Sequence, residues 1–504
     1  MPPNRQTAKF LGAVGRNAKW STLQTVISAV AVFVLYKYIY SRLGAELLGL
    51  WAVVLASVSV GRLAEMGFST TILRYVSQHL SKNSKEHAAR IVETGLVSVG
   101  IPVGLLLLLL YPLIHWAIKF VVPLASLDAA WEVLPYAIAT LWIGIIGSIT
   151  QSALDGCGRM DVKSKILILG NLFYVPAGVL FVNYWGVLGL AAAQLMQAVM
   201  VTGLVWIATR RELPHLNWLP LNWNRNCFKE IIGYAAGLQL GNMLVMLFEP
   251  VTKMLLSRYC GLTEVAHFEM ANQVVARVRA LVTSAMQAYL PVLSSLDSKD
   301  DKAARRVVGE ALTFAVGIGV TVMAALVVTF PVVSILWIGN EQAGFIAYGR
   351  ILGVGWLLAT LAMPAYFYCV GAGRIKALLS GQVLSVGLNA ALGFSAALSG
   401  NGLLVACSMM VALVAGNLVT LRQAMADLRF TAVEVIRSRS ARNLLRVVVL
   451  TALILASDIG ISVMAPMEIN VWAVSVAHAV ALLLVFLFSD ARAILVGRFR
   501  TERA

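Results

Sequence analysis

The sequence is poor in charge and in the motifs that enzymes use. Charged residues make up 13% of its 504 residues and apolar residues 59%, whereas a soluble domain carries about 25% charged residues. The chain contains no phosphate-binding loop of the G-x-x-x-x-G-K type, and its connections are too short for a catalytic domain. These absences argue against a soluble protein and against an enzyme, and no cofactor is predicted.

Cysteines are also few. The five are scattered, without a C-x-x-C pair and without nearby histidines. Neither a disulfide framework nor a metal site follows from this pattern. They are Cys157, Cys227, Cys260, Cys369 and Cys407.

Apolar runs dominate what is present. Fourteen of them come close to the roughly 20 residues that a helix needs to cross a bilayer. The sequence therefore predicts an all-α polytopic membrane protein with a retained first helix rather than a cleaved signal peptide. The predicted segments are 22–41, 47–67, 94–116, 133–153, 166–184, 187–208, 231–253, 267–290, 307–330, 345–370, 379–398, 402–421, 446–464 and 470–489.

Basic residues collect on alternate connections between these segments. One set of connections holds 31 of the 40 Lys and Arg residues, and the opposite set holds only Arg42, Lys119 and Arg258. By the positive-inside rule, both termini are predicted to be cytoplasmic and the protein to lie in a bacterial inner membrane. The net charge of +16 is then explained by anionic lipid headgroups and not by nucleic acid.

The chain contains an internal repeat. Gly44 matches Gly261 and Arg62 matches Arg279 at one common offset, and residues 156–159 match 371–374 at nearly the same offset. Two six-helix halves in one orientation, with a cavity between them, are expected. The predicted division is 1–21 cytoplasmic segment, 22–208 first bundle, 209–230 linker, 231–422 second bundle, 423–445 cytoplasmic loop, 446–490 helices thirteen and fourteen, and 491–504 tail.

Three stretches resemble a known family. They are Leu43 to Trp51, Arg62 to Phe68 and Arg74 to Val76. The chain is similar to Wzx-type O-antigen and exopolysaccharide flippases of the multidrug, oligosaccharidyl-lipid and polysaccharide exporter superfamily. The resemblance implies a V-shaped fold that moves undecaprenyl-pyrophosphate-linked sugar units to the periplasmic leaflet. It also implies contact with membrane lipid and, as partners, a polysaccharide polymerase and a chain-length regulator.

Charged residues inside spanning segments are costly and mark candidate sites. Arg62 and Arg279, one in each half, are predicted to present bidentate donors to the pyrophosphate. Arg277 is a further candidate, although it lies about 200° around the helix from Arg279. The alternatives are an intrahelical pair of Arg62 with Glu65, and a buried Arg279 that bonds backbone carbonyls.

The seventh predicted segment, 231–253, carries a stripe of polar residues at spacings of three and four residues. Gln239, Asn242 and Lys253 on it are predicted to line the cavity. Glu249 on the same stripe is the candidate ion-coupling residue, with Glu65 as a second one. A private ion pair between Glu249 and Lys253 is the alternative.

The eleventh predicted segment, 379–398, supplies neutral polar residues. Gln382, Ser385 and Asn389 share one face and are suited to sugar hydroxyls, although packing against a neighbouring helix explains them as well. Two other functions stay open: a lipid II flippase, which also handles a pyrophosphate, and an ion-coupled multidrug exporter. The second is disfavoured because segment 22–41 has no acidic residue.

Overall fold

The structure is a computed structural model. It describes residues 5–65, 67–287, 301–372, 374–429, 445–449 and 451. These residues form helices and short connections without a β-strand, which confirms the predicted all-α class. The helices are α1 Arg5–Ser59, α2 Phe68–Ser81, α3 Lys85–Ala117, α4 Leu127–Gly156, α5 Met160–Glu212, α6 Arg225–Tyr259, α7 Leu262–Gln287, α8 Asp301–Phe314, α9 Thr321–Ile338, α10 Ala343–Thr360, α11 Met363–Gly371, α12 Ile375–Ala397 and α13 Gly402–Asp427.

Two of the helices are too long for one membrane crossing. The 53 residues of α5 would measure about 80 Å if straight, against a hydrocarbon core of about 30 Å. The backbone leaves helical geometry at Gly186 in α5 (φ 58°, ψ −136°) and at Gly44 in α1 (φ 82°, ψ 174°). Because these breaks separate predicted spanning segments, each of the two helices contains two of them.

Eight helical stretches of the described residues are long and apolar enough to cross a membrane. Segment 345–370 is divided, since α10 ends at Thr360 and α11 begins at Met363 with Pro364 in its first turn. Segment 47–67 ends in the 3-10 helix Val60–Glu65, and a π-helical stretch, Ala315–Val320, joins α8 to α9. The predicted segments 446–464 and 470–489 lie almost entirely outside the described residues.

The chain divides into two compact units, Met1–Arg258 and Tyr259–Ala504. Helix α6, which the sequence prediction assigned to the second half, falls within the first unit. Its C-terminal end is bonded there, because the Ser257 hydroxyl donates to the Val121 carbonyl at 2.6 Å. Before its first turn, the Asn224 amide donates to the Thr94 hydroxyl of α3 at 3.3 Å.

The repeat extends to the boundaries of the helices. Helix α5 begins at Met160 and ends at Glu212, and the pair α12 and α13 begins at Ile375 and ends at Asp427. Both boundaries are shifted by the same number of positions as the repeated loop sequences 156–159 and 371–374. Left-handed glycines occupy corresponding breaks, since Gly186 and Gly400 have φ of 58° and 70°.

Each unit closes this helical hairpin with an ion pair. Arg159 precedes α5 and pairs with Glu212 at its end. Arg374 precedes α12 and its Nε lies 3.3 Å from Asp427 Oδ2 at the end of α13. The two pairs occupy equivalent positions of the repeat, so the arginine of the repeated loop sequence forms the same kind of ion pair in both units.

Candidate substrate and coupling sites

Arg62 lies in the short 3-10 helix between α1 and α2. This helix packs closely on α4, because a Cβ added to Gly61 would lie 2.6 Å from the Leu141 side chain. The chain then turns through Gly67 (φ 69°) into α2. The Arg62 side chain is exposed, and it has no ion-pair partner among the described residues.

Glu65 is held by hydroxyl groups. Its Oε1 accepts a hydrogen bond from Ser148 of α4 at 2.9 Å and another from Ser69 of α2. The two hydroxyls lie 3.2 Å apart, so three elements meet at one half-buried carboxylate. Charge-assisted bonds of this kind stabilise the carboxylate without a cation. Arg62 and Glu65 therefore do not form the alternative intrahelical pair in the described structure.

Glu249 and Lys253 lie on α6 beside Pro250. Lys253 Nζ is 3.8 Å from Glu249 Oε2, so the two form an ion pair that is too long for a hydrogen bond. The lysine is buried and the carboxylate is 38% exposed, which leaves Glu249 within reach of an ion or a proton. The side chains of Gln239 and Asn242 lie outside the described residues.

Arg279 stacks on an aromatic ring in the second unit. Its guanidinium carbon is 3.9 Å from the centroid of the Trp356 ring, a cation–π contact that fixes the plane of the group. Stacking uses the face of a guanidinium, whereas its N–H donors lie along the edge. Arg277 is half-buried and has no ion-pair partner among the residues that the structure describes.

The polar face of α12 is buried or half-buried. A Cβ on Gly416 of α13 would lie only 1.9 Å from Ser385 Oγ, so Ser385 packs at the α12–α13 crossing. Asn389 is 1% exposed. The Gln382 Oε1 atom is buried without a hydrogen-bond partner in the described part of the chain, which makes it the member of the stripe with unused capacity for a ligand.

A chain of neutral polar side chains links α1 to both halves of α5. Asn171 donates to Ser28 at 2.7 Å, and Gln197 donates to Asn171 at 3.3 Å. Gln24 adds a bond to Ser28 at 3.0 Å. Sequence patterns do not reveal this group of residues, because single amides in apolar helices carry no spacing signal across 143 residues of chain.

A second missed network surrounds the N-terminal half of α7. Tyr348 donates to Glu264 Oε2 at 2.6 Å, and the Gln342 amide lies 3.1 Å from His267 Nε2. Gly344 leaves room for the imidazole, since an added Cβ would lie 2.5 Å from His267 Nδ1. The sequence does indicate this network, because three ionisable residues fall within the six positions 264–269 beside an apolar helix, which is unusual. They are Glu264, His267 and Glu269.

Two of the cysteines have thiols whose pKa is raised by their surroundings. Burial, with a smaller contribution from Glu212, raises the pKa of Cys157 to about 12. Burial likewise raises the pKa of Cys227, with Glu230 adding to the shift. Both thiols stay protonated near neutral pH, whereas metal binding and nucleophilic attack require the thiolate.

The fold is that of known polytopic transporters. It matches the lipid II flippase MurJ in an inward closed conformation with a TM-score of 0.71 and 10% identity, covering 95% of this chain and 99% of that one. It also matches an inward-facing multidrug resistance MATE family transporter of the MOP superfamily with a TM-score of 0.64 and 17% identity, covering 83% and 100% of the two chains. These likenesses show the fold, an all-α arrangement, and the eight long apolar helices of the described residues fit a multi-pass membrane protein.

The sequence places it more narrowly. Residues 14–297, more than half of the chain, match the family described as polysaccharide biosynthesis protein, and the chain belongs to that family. It is also 19% identical, over 371 residues, to a Shigella flexneri protein named "Putative O-antigen transporter", covering 72% of this chain and 87% of that protein. These findings confirm the predicted resemblance and the prediction that the protein is a transporter and not an enzyme.

Proposed function

We propose that the protein is a flippase for undecaprenyl-pyrophosphate-linked oligosaccharide repeat units of an O-antigen or exopolysaccharide. In this proposal it moves them from the cytoplasmic to the periplasmic leaflet of the inner membrane, with both termini in the cytoplasm. The observation that carries the proposal is membership of the polysaccharide biosynthesis family combined with an exposed Arg62 that has no counter-ion among the described residues.

Arginine suits this substrate for a physical reason. A diphosphate presents pairs of oxygens, and a planar guanidinium donates to two of them at once. Glu65 leaves Arg62 available, since its carboxylate is held by Ser148 and Ser69. Arg279 is the repeat partner of Arg62, and Arg277 and Lys253 are the further cationic candidates. Each unit thus supplies one arginine of the repeat as a candidate phosphate ligand.

The sugars require neutral hydrogen-bonding groups. The described amides of α5 and α12 supply both donors and acceptors, which match the hydroxyl groups of an oligosaccharide. They are Asn171, Gln197, Gln382 and Asn389. Gln239 and Asn242 of α6 are candidates on the basis of the sequence alone.

Energy for the cycle is proposed to enter through Glu249. Its carboxylate is 38% exposed and 3.8 Å from Lys253, so binding of a proton or cation there would weaken its attraction to the lysine and shift the balance of states. Rocking of the two halves by alternating access would then expose the substrate to one leaflet at a time. The pathway's polymerase and chain-length regulator would receive the product.

A lipid II flippase is the second candidate function. It is favoured by the fold match to MurJ, which spans nearly all of both chains. Lipid II has the same polyprenyl-pyrophosphate carrier, so the arginine argument applies equally to it. The two functions differ in what fails in a cell: surface polysaccharide or the peptidoglycan wall. An ion-coupled multidrug exporter would want acidic groups for cationic drugs, and segment 22–41 has none.

A deletion strain tests the proposal. We would complement it with wild type, Arg62→Ala, Arg279→Ala or the double variant, and score surface polysaccharide, lipid-linked precursor and cell lysis separately. Loss of a bidentate charged contact costs about 1.5–3 kcal/mol, so each single variant should reduce export about ten- to a hundredfold. Arg306→Ala is the matched control, because Arg306 is 83% exposed and paired with Glu310 on the surface.

The outcomes separate the candidates. Lost surface polysaccharide with an intact wall supports the proposed function, whereas lysis on deletion supports the lipid II function. Full rescue by the double arginine variant contradicts a phosphate role for both residues. A double variant no worse than either single one would show that the two arginines act on the same step.

A further inference from the structure

Two histidines and a glutamate from three helices come together in the first unit. His79 lies in the last turn of α2, His87 in the first turn of α3 and Glu230 in the first turns of α6. His79 Nε2 is 3.5 Å from Glu230 Oε1, and His87 Nε2 is 3.6 Å from Glu230 Oε2. One ligand atom from each residue lies within 4.8 Å of the others. The proposed function makes no use of this cluster.

The spacing suits a shared metal better than direct hydrogen bonds. Imidazole-to-carboxylate hydrogen bonds are typically about 2.7–3.2 Å long, shorter than both measured distances. Two donors on one tetrahedral Zn²⁺, with bonds of about 2.0–2.2 Å, lie roughly 3.3–3.5 Å apart. Each His–Glu distance is close to the edge of a zinc tetrahedron, although the two imidazoles face different oxygens of Glu230. Rotation of the side chains would bring both imidazoles and one carboxylate oxygen, which lie within 4.8 Å of one another, onto one ion.

The cluster is preorganised by bonds outside it. The tight turn between α2 and α3 is closed by amides of Lys82 and Ser84 that donate to the His79 carbonyl at 3.1 and 2.9 Å. On the other side, the Asn224 side chain caps α6 by accepting from the Asn226 and Cys227 amides. Supporting bonds of this kind hold ligands near a productive geometry.

The linker before α6 is fastened to α3 at three further points. The Asn217 amide donates to Glu93 at 2.8 Å, the Trp223 indole donates to Ser98 at 3.0 Å, and the Asn224 amide bonds Thr94. Glu230 therefore stays beside His87 even though α4 and α5 lie between them in the chain. These bonds do not depend on the cluster, so its ligands remain together without an ion.

The donor set selects the kind of ion. Two imidazoles disfavour Mg²⁺ and Ca²⁺, which prefer oxygen ligands, and favour Zn²⁺ and its neighbours in the first transition row. Three protein ligands leave a fourth position for water or an anion. The side chains are 16%, 33% and 32% exposed, so an ion can enter from solvent.

We propose that His79, His87 and Glu230 bind one Zn²⁺ ion and that the ion ties the α2–α3 turn to the start of α6. Sequence spacing does not reveal this site, because the third ligand comes from a helix that is distant in the chain. Since α6 also carries Glu249, bound zinc would restrain the helix that holds the candidate coupling residue.

Zinc binding to the full-length protein tests the proposal. The chain would be purified in detergent with an affinity tag that contains no histidine, stripped with a chelator, and titrated with Zn²⁺ against a competing dye. Cobalt would report the geometry through its tetrahedral absorption bands. We expect one ion per chain, and at least a tenfold loss of affinity in each of His79→Ala, His87→Ala and Glu230→Gln.

Matched variants keep the test decisive. His215→Ala removes an exposed histidine of the neighbouring linker, and Glu86→Gln removes an exposed carboxylate of α3; both should bind zinc as the wild type does. Glu230→Gln keeps the shape of the side chain, so lost binding in a variant with an unchanged elution profile cannot be ascribed to misfolding. Equal affinity in Glu230→Gln and wild type, or equal loss in the control variants, would overturn the proposal.

Discussion

Arg374 and Asp427 close the hairpin of α12 and α13 in the second unit as Arg159 and Glu212 close α5 in the first. The guanidinium of Arg374 lies 3.3 Å from the Asp427 carboxylate. The loop repeat seen in the sequence thus positions the cation, and each unit supplies an acidic partner at the far end of its hairpin. The acidic residue is Glu212 in the first unit and Asp427 in the second. The arginine and the ion pair are therefore repeated, but the type of the acidic residue is not.

The Arg374–Asp427 pair is expected to stabilise the hairpin only modestly. Its side chains are 57% and 34% exposed, and solvent screening limits such a pair to about 1 kcal/mol or less. Arg374→Asp and Asp427→Arg should each lower the thermal unfolding temperature of the purified protein slightly. The double variant with exchanged charges should regain most of the loss. A double variant as unstable as the two single losses combined would show that the charges do not interact.

The break at Gly186 predicts a backbone effect without a packing effect. An added Cβ there meets no atom within 4 Å, but φ is +58° and ψ is −136°, a conformation that residues with a Cβ rarely adopt, so Gly186→Ala should cost about 1–3 kcal/mol. Gly203→Ala in the same helix is the control, because its added Cβ also meets no atom within 4 Å and helical geometry favours alanine by about 0.5–1 kcal/mol. Thermal unfolding should therefore shift in opposite directions. Equal shifts would contradict the left-handed break.

Gly416 predicts a packing effect. A Cβ there would lie 1.9 Å from Ser385 Oγ and 2.2 Å from the Gly381 carbonyl oxygen, so Gly416→Ala must separate α12 from α13. Overpacking of this kind costs about 1–3 kcal/mol or more. Gly387→Ala on α12, where an added Cβ meets no atom within 4 Å, should be tolerated. Detergent stability of the two variants compares them directly, and unchanged stability of Gly416→Ala would refute the close crossing.

The coupling role of Glu249 predicts a change in energetics. Glu249→Gln removes the ionisable group and should abolish the dependence of transport on the pH gradient, which export by energised cells with and without an uncoupler would measure. Glu310→Gln removes a 56% exposed carboxylate and should leave that dependence intact. If Glu249→Gln responds to the uncoupler as the wild type does, Glu249 is not the coupling residue.

The raised pKa of Cys157 predicts slow chemical labelling. With a pKa of about 12, roughly one thiol in ten thousand is ionised at pH 8. Because the shift is upward, the maleimide rate should keep rising about tenfold per pH unit from pH 7 to 10. Ser81→Cys at an exposed position should label fast and level off above the ordinary thiol pKa of about 8.5. Peptide mass spectrometry separates the two, and fast labelling of Cys157 at pH 7 would contradict its burial.

Arg62 and Glu65 show which part of the candidate site the sequence predicts and which part it does not. It found Arg62 and Glu65 because charge in an apolar segment is conspicuous, but it offered their mutual ion pair as an alternative. The structure gives Glu65 the hydroxyl of Ser148, which is 83 residues away on α4. Helix packing chooses such partners, and spacing within one helix carries no information about them.

The sequence by itself determined the class of the protein, its helical spans and its repeat. These follow from local physics: hydrocarbon demands about 20 apolar residues per crossing, and basic loops favour the cytoplasmic side. Tertiary structure alone decided the partner of Arg374, the hydroxyls around Glu65 and the meeting of His79 with Glu230. Those contacts join residues that are far apart in the chain, by 151 positions for His79 and Glu230. They depend on how whole helices pack, which no short-range pattern records.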